Sequence, residues 1–109
     1  EGETKRDYTY VDDIIQGILA AMHYQDTLYE VINLGNNHPV TLRKLISLLE
    51  ETLGVKAKIK YLPPQPGDVP QTWADLTKAK KLLDYQPSTE LKEGLVRFAE
   101  WLYKEHPVI

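Results

Sequence analysis

A mixed α/β domain is what this sequence predicts, and three observations lead there. Apolar residues recur at helical spacing in some stretches and in β-rich or strictly alternating runs in others. Gly, Pro, Asn and Asp clusters punctuate the boundaries between them. The 109 residues, 42% hydrophobic and 27% charged, suit one domain able to bury a core. The resulting order is strand, helix, strand, helix, strand, short helix, long helix: few strands with four helices, too few strands for a complete doubly wound sheet.

Arg6-Asp7-Tyr8-Thr9-Tyr10-Val11 is aromatic and β-branched enough for a short strand. Asp12 then reads as a helix N-cap, and Ile14, Ile15, Ile18, Leu19 and Met22 place an amphipathic helix over 13–24. Asp12 and Asp13 complement the positive end of that helix. Residues 29–34, Tyr-Glu-Val-Ile-Asn-Leu, read as a strand with apolar side chains on both faces, as in a strand covered from both sides. Gly35-Asn36-Asn37-His38-Pro39 is a dense turn signal, after which Thr41 caps a helix carrying Leu42, Leu45, Ile46, Leu49 and Leu53 on one stripe. Gly54 is placed to end it in the left-handed conformation. Residues 55–62 alternate, with Val55, Ala57, Ile59 and Tyr61 on one side and Lys56, Lys58 and Lys60 on the other. Those lysines could be a phosphate-binding row, but a solvated strand face that blocks edge pairing is the preferred reading.

Residues 63–75 hold four of the seven prolines. So stiff a segment loses less entropy on adopting one shape. Within it Pro66 fixes φ ahead of Gly67, which can take a positive φ, so a turn presents the Asp68 carboxylate. This stretch is either a connector or a loop that holds Asp68, and Gln65 with it, towards a ligand; taken alone, the connector reading is favoured. Asp75 then resembles the N-cap of a short helix with Leu76, Ala79, Leu82 and Leu83, ended by Asp84-Tyr85-Gln86-Pro87. Thr89 reads as the cap of a last helix whose stripe is Leu91, Leu95, Phe98 and Leu102.

Several classes of function are set aside. There is no cysteine, hence no disulfide, thiolate or cysteine metal site. His23, His38 and His106 lack metal-binding spacing. Thirteen basic against sixteen acidic residues give a formal net charge of −3 with no basic block, which argues against a nucleic-acid partner. The longest clearly apolar run, Ile18 to Met22, is too short to span a membrane, and no membrane association is expected. The chain opens on Glu1 without a signal segment, so a processed chain or an excerpt is expected. Adjacent Asp12 and Asp13 would point apart on a helix and make no catalytic carboxylate pair. No G-x-S-x-G elbow and no dinucleotide G-x-G-x-x-G occurs.

Arg6-Asp7-Tyr8-Thr9-Tyr10-Val11-Asp12-Asp13 resembles the motif that opens the C-terminal portion of the extended short-chain dehydrogenase/reductase family, which includes NAD-dependent nucleotide-sugar epimerases and dehydratases. Tyr29 to Gly35 resembles that family's strand ending in Asn-x-Gly. Gln65-Pro66-Gly67-Asp68-Val69 resembles its (R/Q)PGDV loop. Trp73-Ala74-Asp75 with Lys78-Ala79, and Leu91, Glu93-Gly94-Leu95 and Trp101, are similar to its next two helices. The resemblance covers nearly the whole chain, with the motifs in family order. Gln65 is most similar to the residue in UDP-glucuronate 4-epimerases.

The resemblance implies an α/β fold, α+β as an isolated fragment, with residues 1–109 forming a single substrate-binding domain. It implies that Arg6 meets a UDP diphosphate, for which the guanidinium fork is apt. Tyr8 would line the nucleotide site and Asp68 would accept from ribose hydroxyls. Gln65 stands where UDP-galactose 4-epimerases carry arginine, so it could donate without charge. Ordinary alternatives remain: Arg6 as a partner for a carboxylate, and Tyr8 as core packing. Asp84 stands where the family has glycine, which bears on the local cap geometry. The family's glycine-rich NAD loop and its Tyr-x-x-x-Lys pair lie in an N-terminal portion and neither occurs here, so no catalytic residue is assigned.

The implied protein is therefore the UDP-sugar-binding portion of a cytoplasmic NAD-dependent epimerase of carbohydrate metabolism. It would have the N-terminal portion as partner, bind no NAD by itself, be inactive alone, and tend to self-associate through an open edge at 29–34. The competing class is a stand-alone binding or interaction module that kept the fold and lost the chemistry. An upstream glycine-rich strand–loop–helix in the gene would favour the enzyme; a Met start just before Glu1 would favour the module.

Overall fold

The computed structural model describes residues 2–107. Four helices carry the architecture: α1 (Val11–Met22), α2 (Leu42–Leu53), α3 (Thr77–Leu83) and α4 (Leu91–Glu105). Two two-residue strands, β1 (Lys5–Arg6) and β2 (Val40–Thr41), pair antiparallel, Lys5 opposite Thr41 and Arg6 opposite Val40. On its other side β1 meets the end of the proline segment in a parallel bridge, Lys5 opposite Gln71. There the Lys5 N–H donates to the Pro70 carbonyl at 2.9 Å and the Thr72 N–H to the Lys5 carbonyl at 3.2 Å. The fold is thus mixed α/β, and β1 lies between two segments that are remote in sequence.

Each helix carries apolar residues at helical spacing, although Ile15, Ile18, Leu19 and Met22 of α1 remain exposed. α2 packs on α4 and α1 on α3. The molecule measures 50 × 36 × 19 Å, and its thin dimension is about two helix diameters. Its radius of gyration, 16.8 Å, exceeds the roughly 13 Å of a compact chain of this length. The buried apolar centre is small, consisting of Leu48, Ala79, Tyr85 and Ala99 among the described residues. Large apolar side chains remain open on α1, where Met22 is 72% exposed, and along 28–31, where Tyr29 is 81% and Val31 60% exposed. So much uncovered apolar surface is characteristic of a surface made to be covered.

Several expectations hold at the level of single residues. Thr41 caps α2, its hydroxyl accepting the Lys44 N–H at 3.1 Å. Gly54 ends α2 at φ 68°, donating to the Glu50 carbonyl. The turn 65–68 closes through the Asp68 N–H on the Gln65 carbonyl at 3.2 Å with Gly67 at φ 84°, the pattern of a type II turn with Pro at its second position.

Other expectations are corrected. The first strand is confined to Lys5–Arg6, and the helix expected over 13–24 starts at Val11. Its N-cap is Tyr10, not Asp12, because the Tyr10 carbonyl already accepts from Asp13 and Ile14. Asp12 and Asp13 occupy the first turn, where the positive helix end favours them. They do point apart: Asp12 lies 3.8 Å from Arg97, while Asp13 is buried and accepts the N–H groups of Ser88 and Thr89, both at 3.1 Å. Thr89 is therefore held by Asp13 rather than capping α4, whose N-cap is Glu90.

Neither 29–34 nor 55–62 forms a strand, and 29–34 is not covered on both faces. A strand is completed only by a hydrogen-bonding neighbour, and among the described residues none lies beside either segment. The lysine row of 55–62 is exposed, and Lys56 pairs with Glu50 at 3.0 Å. Asp75 caps from one residue earlier than expected. The N-cap of α3 is Leu76, and the Asp75 carboxylate accepts the Thr77 N–H at 3.0 Å and its hydroxyl at 2.7 Å.

Those bonds from Thr77, the backbone N–H first, hold the Asp75 carboxyl below its ordinary value of 3.8. Its contribution to stability is thus fully present above 3.8 and is lost as pH falls through the lower folded-state value. The urea midpoint is expected to drop as pH falls below about 4, and Asp75→Asn should make that drop shallower. Identical acid profiles for the two proteins would show that the Thr77 bonds do not depend on the charge.

Candidate functional site

The site is built outward from Asp7. This residue follows β1 and aims its carboxylate into a ring of backbone donors. Oδ2 accepts from Asn36 at 3.2 Å, Asn37 at 2.9 Å and Ala74 at 3.0 Å, and Oδ1 from His38 at 3.1 Å. The Gly35-Asn36-Asn37-His38 turn wraps the carboxylate with Asn37 at φ 53°, the kind of successive N–H concavity that holds anions elsewhere. Gly35 is required for the approach. A Cβ there would lie 2.6 Å from the Ala74 methyl and 2.9 Å from Asp7 Oδ2.

Gly35 is also the acceptor for Tyr85, whose hydroxyl donates to its carbonyl at 2.7 Å. Burial pushes the Tyr85 phenol above its ordinary pKa, and the Asp13 carboxylate adds to the rise. Tyr85 reaches this position because Asp84, at φ 52°, turns the chain sharply after α3. The Tyr85 N–H then bonds back six residues to Ala79, a Schellman-type closure. Asp84 thereby fills the left-handed position that glycine would take, a conformation aspartate tolerates better than most residues.

The ring around Asp7 positions its sequence neighbours. The Arg6 guanidinium donates through Nη2 to Asp68 Oδ1 at 2.6 Å and through Nη1 to the Lys5 carbonyl at 2.7 Å. Two of the four residues singled out in the sequence, 62 positions apart, therefore meet directly. Gln65 belongs to the same turn as Asp68 through its backbone carbonyl, and its residue is exposed. Tyr8 lines an apolar groove of about 250 Å³ with Leu45, Leu91, Leu95 and Phe98. That placement fits the packing alternative for Tyr8 as well as a ligand-lining one. Arg6 and Asp68 together offer a cation for an anionic group and an acceptor for hydroxyls, side by side on partly open surface.

Asp7, Asp13 and Tyr85 were not singled out as organising residues by the sequence reading. The only available signal for Asp7 was a carboxylate beside a strand with two Gly/Asn-rich or Pro-rich turns later in the chain. Among the described residues no three His, Cys, Asp or Glu side chains gather to hold a metal ion, and no helix is long and apolar enough to cross a membrane. The 109 residues contain no glycine-rich dinucleotide loop and no Tyr-x-x-x-Lys.

The Arg-x-Tyr strand exit and the Pro-Gly-Asp turn are those on which the chain resembles the nucleotide-sugar epimerases and dehydratases, and comparisons with known proteins agree on that class. The family model described as GDP-mannose 4,6 dehydratase matches residues 1–98, and the chain belongs to that family. It is 43% identical over 102 residues to UDP-glucuronate 4-epimerase of Thermodesulfobacterium geofontis, covering 93% of this chain and 31% of the relative. It is 50% identical over 100 residues to an uncharacterized protein of Methanocaldococcus jannaschii, covering 92% and 30%. Among solved structures it is similar to a mutant UDP-glucuronic acid 4-epimerase of Bacillus cereus in complex with UDP-4-deoxy-4-fluoro-glucuronic acid and NAD. That match has a TM-score of 0.88 and 36% identity, and it covers 97% of this chain and 34% of the other. The chain thus spans about a third of the length of the relatives it matches, and it corresponds to their C-terminal portion.

Two substitutions test the ring. Asp7→Asn replaces one acceptor oxygen by an NH2 that faces donors, and should destabilise by about 1–3 kcal/mol. Gly35→Ala should destabilise by a similar amount, about 1–3 kcal/mol, because the Ala74 methyl cannot rotate away. Urea denaturation measures both, and midpoints within error of the wild type would show that the ring is dispensable.

Proposed function

We propose that this chain is the UDP-sugar-binding portion of an NAD-dependent nucleotide-sugar epimerase of the UDP-glucuronate 4-epimerase type. The observation that carries the reading is the meeting of Arg6 and Asp68 at 2.6 Å beside the Gln65–Asp68 turn. In this reading Arg6 binds the diphosphate, Asp68 accepts from the ribose hydroxyls, Gln65 donates an uncharged hydrogen bond, and Tyr8 lines the nucleotide site. The relatives support the substrate class, since the Bacillus cereus enzyme was crystallised with a UDP-sugar and NAD.

The hydride and proton chemistry belongs to an N-terminal portion that brings NAD and a Tyr-x-x-x-Lys pair. That portion is the partner for the apolar surface of α1 and 28–31, and the whole enzyme works in the cytoplasm. The 109 residues alone bind no NAD, turn over no UDP-sugar, and self-associate through the same open surface.

Titration with UDP, followed by NMR, should shift the signals of Arg6, Tyr8, Gln65 and Asp68. Binding should be weak, because one side of the ligand stays in water, and it should weaken further as salt rises. Arg6→Ala should lower the affinity about tenfold or more and Gln65→Ala about threefold, since only Arg6 brings a charge. Shifts confined to Lys56, Lys58 and Lys60 would sink the assignment, as would epimerase turnover by these 109 residues alone.

A further inference from the structure

Arg6 and Asp68 are each assigned above to a different part of the nucleotide, yet in this structure they hold each other. Asp68 Oδ1 receives Arg6 Nη2 at 2.6 Å and the Val69 N–H at 3.0 Å. The side chains are 29% and 52% exposed, so neither charge is locked away. The turn that carries Asp68 is exposed, with nothing within 4 Å of where a Gly67 side chain would be. Asp68 can therefore shift without repacking a core.

We propose that the Arg6–Asp68 ion pair is an exchange latch that selects a nucleoside diphosphate over a bare diphosphate. The proposal rests on the nucleotide-binding reading above. An incoming diphosphate takes the guanidinium from Asp68. The carboxylate is then left without its cation and next to an anion, and two like charges at about 4 Å in water reduce affinity roughly fivefold. A ligand with a ribose diol beside its diphosphate removes that cost, because the hydroxyls donate to the carboxylate as the guanidinium leaves it. A bare diphosphate has no such donor. A nucleoside without phosphates has the donors but must part the pair while offering Arg6 nothing in return. The latch thus makes the two halves of the ligand cooperate, although each touches a different residue.

The test is calorimetric titration of the chain with UDP, inorganic pyrophosphate and uridine, in the wild type, Asp68→Asn, Arg6→Ala and the double variant. Asp68→Asn should raise pyrophosphate affinity roughly two- to tenfold, by freeing Arg6 and removing a like charge. It should not raise UDP affinity, so the preference for UDP over pyrophosphate narrows. In the Arg6→Ala background the gain in pyrophosphate affinity from Asp68→Asn should shrink, because no cation is left to free. UDP binding with an unchanged or wider UDP-to-pyrophosphate preference in Asp68→Asn would overturn the latch and leave the binding reading standing. Failure of both UDP and pyrophosphate to bind the wild type would overturn the binding reading and the latch with it. Unchanged far-UV circular dichroism of Asp68→Asn, a substitution on an exposed turn, separates these outcomes from unfolding.

Discussion

The Asp7 carboxylate is the constraint on which the rest of this structure depends. A two-stranded ladder of two residues per strand cannot by itself hold three remote segments in place. Four N–H donors from 36–38 and 74, converging on one anionic group, can. Charge-assisted bonds of this kind are about twice as strong as neutral ones, and together they tie two stretches of backbone, 36–38 and 74, to the end of β1. Gly35 brings the turn close enough, and its carbonyl anchors Tyr85, so the C-terminal end of α3 is fastened to the same point. The placement of Arg6 follows, because a residue whose neighbour is fixed by four bonds has little freedom left in its own backbone.

A second carboxylate, this one buried, does similar work, and like Asp7 it acts on Tyr85. Asp13, in the first turn of α1, accepts two N–H groups just ahead of α4. Between them Asp7 and Asp13 supply polar tethers where a larger apolar core would ordinarily do the job, and the buried core is indeed small. The flat 19 Å plate and the exposed apolar side chains of α1 are the counterpart of this arrangement. Hydrophobic burial scales with covered area, so the apolar stripe of α1 contributes little until another surface meets it.

How much of this was legible in the sequence follows from the range of each interaction. Helices were legible because a stripe at helical spacing is local, and so were the Gly54 cap, the Thr41 cap and the Pro66-Gly67 turn, each set by one or two residues. The expected strands at 29–34 and 55–62 do not form because β-rich composition and alternation record a tendency, whereas a strand needs a neighbour. Asp12 and Thr89 were misread as caps for a related reason. A residue of capping type ahead of an apolar stripe predicts a cap only if the helix starts just after it, and α1 and α4 start after Tyr10 and Glu90. Thr89 is instead held through its N–H by Asp13, and Tyr10 begins α1 without a side-chain cap. The residue pattern alone offered the Asp68 turn as a presenting loop; assigning Arg6 and Asp68 to one site came from the family resemblance. Their contact, 62 residues apart, has no local signature.

The left-handed Asp84 shows how such a tertiary constraint can absorb a local cost. A non-glycine residue at φ 52° carries strain of about 1–2 kcal/mol relative to glycine, though aspartate carries less of it than most residues. Here the strain is held in place from both ends. The Tyr85 N–H closes onto Ala79 behind it, and the Tyr85 ring is buried ahead of it with its hydroxyl on Gly35. Releasing Asp84 to a relaxed conformation would withdraw Tyr85 from the core and leave the Gly35 carbonyl without its donor. Gly35 would then lose an anchor next to the Asp7 ring. The strain is therefore tolerated because relaxing it would disturb the same carboxylate that places Arg6, which links a C-cap at residue 84 to the geometry of a site formed by residues 6 and 68.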